Sequence, residues 1–255
     1  MNDSESPLPP ADDDAADDPA TEYALPLVIR LERSAPPTRT DAMETAARAV
    51  LGLLADPRTT EETGEWHKRV LLWEERAIRK VVRRARGAEW RRASALPGLT
   101  ATGSPAQPPP GTGGPGTPEE HAPAQVRVFP PVPVGAWPKD LARLQVSGTD
   151  FEDPQPPPPP ATGTPVLWLN PTLEMTAGKA MAQAGHAAQL AWWALDHRAR
   201  EEWATTGFPL AVRSAHGAAQ WAALTGGRLP VVRDAGFTEV SPGSCTAAAE
   251  HPAFR

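Results

Sequence analysis

The stretch VLWLNPTLEMTAGKAMAQAGHAAQLAWW at residues 166–193 decides the fold of the second half of the chain. VLWL at 166–169 is a short apolar run of the kind found in buried strands. Thr176 can cap the helix that follows, which we expect to run from about Ala177 to Arg200. Small residues on this helix favour close packing on a sheet, and they are Ala180, Ala184, Ala187, Ala188 and Ala191.

The rest of the second half alternates further strands and helices. Strands are predicted at 208–215, 229–234 and 245–252, a helical turn at 201–206, and a short helix at 218–227 that ends in glycines. We therefore predict the fold class α/β, with a small mixed β-sheet flanked by helices.

Low-complexity segments divide the chain. The predicted organisation is an acidic disordered tail at 1–22, a first lobe at 23–150 with a disordered insertion at 101–124, a proline-rich linker at 151–164 and a second lobe at 165–255. The linker contains five consecutive prolines, which favour a stiff polyproline spacer. The fold is thus expected twice, as two lobes.

An internal repeat is visible at a shift of 138 positions. LVIRL at 27–31 then falls on PVLWL at 165–169, and the helix beginning near Asp41 falls on the helix that contains Lys179. The match is mainly one of apolar pattern, so both duplication and chance similarity stay open.

The composition bounds the class of protein. The chain has 255 residues, 32 prolines, one cysteine (Cys245) and a net charge of −6. One cysteine allows no disulfide within the chain, which fits a cytoplasmic location. No apolar stretch approaches the length of a membrane helix, and the acidic N-terminus does not resemble a secretory signal.

Charge is distributed unevenly. Residues 1–22 carry eight acidic residues and no basic one, whereas residues 67–92 carry ten Lys or Arg against three Glu. On a helix, this basic block would form a charged face with Trp90 at its edge. A solvated surface and a contact with the phosphates of a nucleic acid are the two interpretations.

Two motifs carry the chemistry. The first, TAGKAMAQAGHAAQ at 176–189, contains Gly178–Lys179 followed by Ala182–Gln183 and His186–Ala187. The second, at 229–252, contains Arg233–Asp234–Ala235–Gly236, then Thr238, Pro242–Gly243 and Thr246. Together, in this order and spacing, they resemble the type-2 peptidyl-tRNA hydrolase family over about 90 residues.

This resemblance implies an activity and a site. The activity is metal-independent and cofactor-free hydrolysis of the ester bond of peptidyl-tRNA, which releases free tRNA and peptide. The implied catalytic residues are Lys179, Asp234, Thr238 and Thr246, with no covalent nucleophile. Family members are typically homodimers, so a duplicated chain is expected to be a monomeric pseudo-dimer, although a homodimer stays possible.

Ester hydrolysis explains these residue types. It needs an oriented water, an acceptor that steers it and donors for the developing oxyanion. Asp234 at a strand end can orient water, and Lys179 at a helix N-terminus can stabilise an oxyanion or hold a phosphate. Lys179 is the only lysine after residue 163, although a lysine at a helix start is ordinarily only solvated.

The remaining candidates have weaker support. Gln183 lies one helical turn after Lys179 and His186 two turns after it, so both share its face. With Arg233 they are the predicted substrate-binding residues, although a packed, hydrogen-bonded role for His186 is the simpler interpretation. Cys245 is interpreted as a small core residue.

Departures from the family leave other functions open. The segment between Lys179 and Asp234 is short, and the family's C-terminal ending resembles residues 126–146 of the first half instead. Asp41 occupies the position of Lys179 in that half, so a duplicated first lobe would have lost the catalytic set. Alternatives are a catalytically weak or inactive protein that binds tRNA or a partner, and a hydrolase of another ester or amide.

Overall fold

Two mixed β-sheets, each flanked by helices, form the protein in a computed structural model that describes residues 21–32, 35–104, 121–236 and 240–254. This architecture confirms the predicted fold class. Most of the tail and insertion predicted to be disordered, namely 1–20 and 105–120, lies outside the described residues.

The N-terminal lobe, here the N-lobe, has one sheet in the order β2-β1-β4-β3, with β5 paired to the start of β1. β1 and β2 are parallel, and the other pairs are antiparallel. The elements are β1 (Tyr23–Arg30), α1 (Arg39–Ala55), α2 (Pro57–Thr60), α3 (His67–Glu74), β2 (Arg79–Ala85), α4 (Gly87–Ser94), β3 (Leu99–Thr102), β4 (Gln125–Val128), β5 (Val132–Pro133) and α5 (Lys139–Ala142).

The C-terminal lobe, here the C-lobe, has a four-stranded sheet in the order β7-β6-β9-β8. β6 and β7 are parallel, whereas β9 runs antiparallel to both β6 and β8. The elements are β6 (Val166–Leu169), α6 (Ala177–Ala194), α7 (His197–Thr205), β7 (Ala211–Ser214), α8 (Ala218–Thr225), β8 (Val231–Arg233), β9 (Cys245–Glu250) and a final 3₁₀ turn (Pro252–Phe254).

The two lobes share one topology. Their sheets have the same strand order and the same parallel and antiparallel pairs, and α1 and α6 begin at positions that differ by 138. Each helix also has the same cap: Thr38 Oγ1 accepts from Asp41 N at 3.2 Å, and Thr176 Oγ1 accepts from Lys179 N at 3.3 Å. The duplication itself stays a prediction.

Two sequence predictions differ from the structure. The helix expected to reach Arg200 ends at Ala194, because Asp196 caps a separate helix by accepting from Ala199 N at 2.8 Å. Part of the basic block expected on a helix forms strand β2, where Val81 and Val82 suit an extended, half-buried strand. Among the described helices, none has both the length and the apolar character to cross a membrane.

The lobes are joined by the packing of α1 against α6, and their buried apolar side chains form one continuous core. At the crossing, a Cβ built on Gly185 would lie 3.1 Å from Val50 Cγ2 and 3.3 Å from Lys80 Cδ. Glu44 on α1 adds polar contacts to the C-lobe, accepting from Arg213 Nη1 at 2.9 Å and Val212 N at 3.1 Å.

The segment that connects the lobes lies against both of them. Thr149 Oγ1 accepts from Gly178 N at 3.0 Å, at the start of α6. Asp153 accepts from the backbone and side chain of Thr40 at 2.8 and 2.7 Å, at the start of α1. Pro158 O accepts from the Arg213 guanidinium at 2.9 and 3.0 Å. The connection thus holds both helix N-termini in place.

Substitution of Gly185 tests the close approach of α1 and α6. We expect Gly185→Leu to lower the free energy of unfolding by about 1–3 kcal/mol, because the side chain has no room at the crossing. Gly52 on α1 is the matched control: nothing lies within 4 Å of the place where its Cβ would be, so Gly52→Ala should stabilise by up to about 1 kcal/mol. Urea unfolding measures the free energy of unfolding of both variants. Equal changes in the two variants would contradict the close approach of α1 and α6 at Gly185.

Self-association is the second test of the lobe arrangement. Because α1 already covers the face of α6 that packs between lobes, we expect a monomer of 27.2 kDa in solution. Sedimentation equilibrium measures the mass. A stable dimer joined through the C-lobe helices would contradict the internal pairing.

Candidate active site

Lys179 and Asp234 form an ion pair at the start of α6. Lys179 lies in the first helical turn, and Asp234 directly follows β8. The backbone of Asp234 is fixed by a turn, because its N–H donates to Ser244 O at 2.9 Å and its carbonyl accepts from Gly243 N at 2.7 Å. Lys179 Nζ lies 2.5 Å from Asp234 Oδ2, and the two side chains are only 12% and 8% exposed.

Hydrogen bonds extend from this pair into the sheet. Gln183 Nε2 donates to Asp234 Oδ2 at 2.8 Å, and Thr246 Oγ1 donates to Gln183 Oε1 at 2.6 Å. Gly236 N donates to the other carboxylate oxygen, Oδ1, at 2.8 Å. Gln183 and Thr246 are buried. The Asp234 carboxylate is therefore held in one orientation by both a helix and a strand.

The turn that shapes this site requires glycine. Gly236 has a φ of +80°, and a Cβ added there would collide with the ring of Pro242. Gly243 also has a φ of +80°. Both positions therefore adopt the left-handed conformation that glycine tolerates best. The Ala-Gly and Pro-Gly pairs of the second motif thus have a structural role in placing Asp234.

Four of the predicted site residues lie together in the structure. Lys179, Gln183, Asp234 and Thr246 form the hydrogen-bonded group just described. Thr238 lies outside the described residues. Arg233 is exposed at the rim of the cleft, with Nη1 at 3.1 Å from Cys245 Sγ.

His186 contacts a residue that the sequence did not single out as functional. Lys80, from strand β2 of the N-lobe, is 7% exposed, and its Nζ lies 3.3 Å from His186 Nδ1 and donates to Gln189 Oε1 at 2.5 Å. Nζ also lies 4.7 Å from the centre of the Trp73 ring. The only signal in the sequence was that Lys80 is one of four lysines among 25 basic residues.

Burial changes the ionisation of this cluster. Desolvation holds the pKa of Lys80 well below its usual value, and the Glu74 carboxylate partly opposes that shift. Desolvation also holds the pKa of His186 well below its usual value, and the charges of Lys80 and Lys179 act in the same direction. Burial therefore favours the neutral form of the His186 imidazole.

A cleft of about 1160 Å³ connects these groups across the lobe boundary. Its C-lobe wall carries the Lys179–Asp234 pair, Gln183 and His186, and its N-lobe wall includes β2. Five basic side chains line it, namely Arg79, Lys80, Arg83, Lys179 and Arg233, against the single carboxylate of Asp234. Part of the basic block therefore faces the candidate active site.

The corresponding place in the N-lobe is closed. Asp41, at the position equivalent to Lys179, is 2% exposed, and its carboxylate accepts from Ala124 N at 2.7 Å and Ser104 N at 3.1 Å. A Cβ on Gly103 would collide with that carboxylate. Asp41 thus acts as a structural anchor that satisfies backbone donors.

Metal ligation has no support in the part of the chain that the structure describes. No group of three or more His, Cys, Asp or Glu side chains there is arranged to hold a metal ion. The functional groups that line the cleft include the Asp234 carboxylate, the lysine amines, the Gln183 amide, the His186 imidazole and arginine guanidinium groups.

Comparison with known proteins found a similarity in the C-lobe. A family model described as "Peptidyl-tRNA hydrolase PTH2" matches residues 164–255. This match confirms the resemblance seen in the two motifs and covers the whole Lys179–Asp234 group. Comparisons with curated proteins and with solved structures found no match.

The depressed pKa of His186 predicts a pH effect on stability. As pH falls through about 6.5, the unfolded chain takes up a proton that folded His186 does not, so the free energy of unfolding should decrease. We expect His186→Gln to lose less stability than the wild type between pH 7.5 and 5.5. His251→Gln is the comparison variant, because burial lowers the pKa of His251 also. Urea unfolding at each pH measures the slopes, and equal slopes for wild type and His186→Gln would contradict this assignment.

Proposed function

We propose that this chain hydrolyses the ester bond of peptidyl-tRNA and releases free tRNA and peptide. The observation that carries the proposal is the buried, hydrogen-bonded group of Lys179, Asp234, Gln183 and Thr246, which opens into a cationic cleft. The family match of residues 164–255 supports the same substrate.

Asp234 is the group that orients the attacking water. Its Oδ2 accepts hydrogen bonds from the side chains of Lys179 and Gln183, whereas Oδ1 accepts one from the backbone N–H of Gly236. A carboxylate has about four acceptor positions, so Oδ1 can also accept from a water. That water attacks the ester carbonyl while one of its protons passes to the Asp234 carboxylate. The carboxyl group returns this proton to the ribose oxygen of the tRNA as the C–O bond breaks, which leaves a free hydroxyl on the tRNA and a carboxylic acid on the peptide.

Lys179 is the group that stabilises the negative charge on the carbonyl oxygen. Its ammonium carries three donors and lies at the positive end of the α6 dipole. Its pairing with Asp234 in a poorly hydrated place keeps both groups oriented before the substrate arrives. Preorganised donors of this kind commonly contribute the largest single part of a rate enhancement.

Thr246 and Gln183 are positioning residues in this proposal. Thr246 is fully buried, and its hydroxyl hydrogen bonds to the Gln183 amide, so it is badly placed to attack a substrate. Cys245 lies on the neighbouring position of β9 and packs with Trp221 and Ala248 on the other side of the sheet. Water is therefore the nucleophile, and Thr238 is proposed as a further hydrogen-bonding group from the same motif.

The cationic side chains of the cleft are proposed to hold the tRNA. Arg233 lies at the rim beside Asp234, and Arg79 and Arg83 line the wall that the N-lobe contributes. Contacts of this type release counterions from the nucleic acid. Affinity for tRNA should accordingly decrease as salt increases. His186 is proposed to contact the acceptor end, whereas Gln183, predicted as a substrate-binding residue, is proposed to act through Asp234.

Release of tRNA from N-acetyl-aminoacyl-tRNA tests the proposal. We expect turnover by the wild type and a loss of about 10²-fold or more in kcat for Lys179→Ala and for Asp234→Asn, because each removes a charge that the transition state needs. Lys139→Ala is the control, because Lys139 is an exposed lysine on α5 outside the cleft.

Two other outcomes would contradict the proposal. Salt-dependent tRNA binding without turnover would identify a binding protein on the same fold. Turnover of simple esters or amides, with none of peptidyl-tRNA, would identify a different hydrolase.

A further inference from the structure

Strand β2 is an edge strand that borders the active-site cleft. It occupies the end of the N-lobe sheet and pairs with β1 along its whole length. Residues 77–83 all line the cleft. An unpaired strand edge offers backbone donors and acceptors that can recruit another extended chain.

The direction of the backbone groups in β2 identifies which of them face outward. Arg84 N donates to Gln145 O at 2.9 Å, on the side away from β1. Since residues two apart in a strand direct their backbone groups to the same side, Lys80 and Val82 also face outward. Among the described residues, no backbone hydrogen bond is made by the N–H or C=O of Lys80 or Val82 on that edge.

This edge, called the open edge because its backbone groups are unpaired, lines the cleft alongside the helix that carries Lys179, where Lys80 and Val82 are 7% and 4% exposed. Its Lys80 end lies at His186, and its Arg84 end lies near residues 147–149, where Thr149 contacts Gly178. The unpaired part of the edge, residues 80–82, spans about 7 Å at the usual rise per strand residue, because Arg84 N is already paired with Gln145 O. Residues 179–186 of α6 span about 10 Å. A segment of two or three residues therefore reaches from the open edge to the catalytic pair.

We infer that the open edge of β2 binds the peptidyl part of the substrate as an added β-strand. This inference rests on the proposed function, because it deepens the same site. The ester end of the peptide lies at the Thr149–Gly178 contact, next to Lys179. The peptide then runs parallel to β2, with its earlier residues toward His186.

Backbone chemistry favours a peptide over nucleic acid at this edge. Lys80 and Val82 each present one donor and one acceptor, and an extended peptide supplies both partners. The phosphate groups of a nucleic acid supply acceptors alone, so they would leave the two carbonyl groups unpaired. Recognition through the backbone reads few side-chain features, which suits an enzyme whose substrates carry peptides of many sequences.

Binding of the peptide at this edge gives the N-lobe a role in holding the substrate. It carries no counterpart of the Lys179–Asp234 pair among its described residues, but its edge strand forms the opposite wall of the cleft. Apolar residues of both lobes, Ile78, Ala182 and Leu190, line the same space and can accommodate side chains of the peptide. The catalytic lobe cuts the ester, and the N-lobe holds the peptide.

Peptide-length dependence tests the inference independently of turnover. The ligands are tRNA analogues in which an amide replaces the ester: one carries N-acetyl-aminoacyl and the other an N-acetylated tripeptide. We expect the wild type to bind the tripeptidyl analogue about 5- to 30-fold more tightly, since each added hydrogen bond contributes a modest net gain. A third analogue, N-methylated at the peptide amides, should lose this advantage.

Two substitutions at Val82 test the same edge by changing the protein instead of the ligand. Val82→Pro removes one outward N–H without removing a donor from the β1 ladder, and proline is tolerated at such edges. Val82→Ala shortens the side chain and keeps the N–H. We expect the affinity ratio between tripeptidyl and aminoacyl analogues to fall about 3- to 10-fold in Val82→Pro and to persist in Val82→Ala. A general loss of stability would weaken the binding of both analogues equally and leave this ratio unchanged. A loss of binding at the edge would lower the ratio.

The outcomes are distinct from those of the hydrolysis assay. A length-dependent gain that N-methylation and Val82→Pro both reduce would support the edge even if ester turnover were absent. Equal affinity for the short and long analogues, or a gain that survives N-methylation, would overturn it even if the chain hydrolyses peptidyl-tRNA.

Discussion

The close crossing of α1 and α6 is the constraint on which the rest of the structure depends. Gly185 lets Val50 and the Lys80 stem approach α6 at this crossing. The two sheets consequently share one core instead of forming two separate ones. The same crossing sets β2 beside α6, so the open strand edge and the Lys179–Asp234 pair face one cleft. Without this crossing, the C-lobe would provide one wall of the cleft, and the N-lobe would provide no wall opposite it.

The two lobes share one topology but carry oppositely charged side chains at the same helical position, Lys179 in the C-lobe and Asp41 in the N-lobe. In the C-lobe, Lys179 meets the carboxylate of Asp234, and a buried pair of opposite charges stays open to the cleft. In the N-lobe, Asp41 turns its carboxylate onto the backbone donors of Ser104 and Ala124. A buried carboxylate needs such partners, because an uncompensated one would be strongly destabilising. One lobe thus has a buried ion pair at the cleft, and the other has a structural anchor at the same helical position.

Local patterns were sufficient to predict much of the fold. The cap residue Thr176, the alanines of α6 and the short apolar strands predicted α/β architecture. The resemblance carried by the two motifs predicted Lys179, Asp234, Thr238 and Thr246 as catalytic residues and Gln183 as a substrate-binding residue, and the structure brings Lys179, Gln183, Asp234 and Thr246 together. Lys80 was missed because its contact with His186 joins residues 106 positions apart in different lobes. The basic block at 67–92 was considered on a helix, whereas pairing with β1 makes its residues 79–85 a strand.

Rapid acid quenching of a single turnover, with enzyme in excess over N-acetyl-aminoacyl-tRNA, tests most directly whether the Lys179–Asp234 group activates water. Mass spectrometry of the intact chain follows the protein while free tRNA and peptide are counted. We expect tRNA and peptide to appear together, with the protein mass unchanged at every time point. A peptide attached to the protein before its release, or no release of tRNA at all, would contradict direct attack by water at this site.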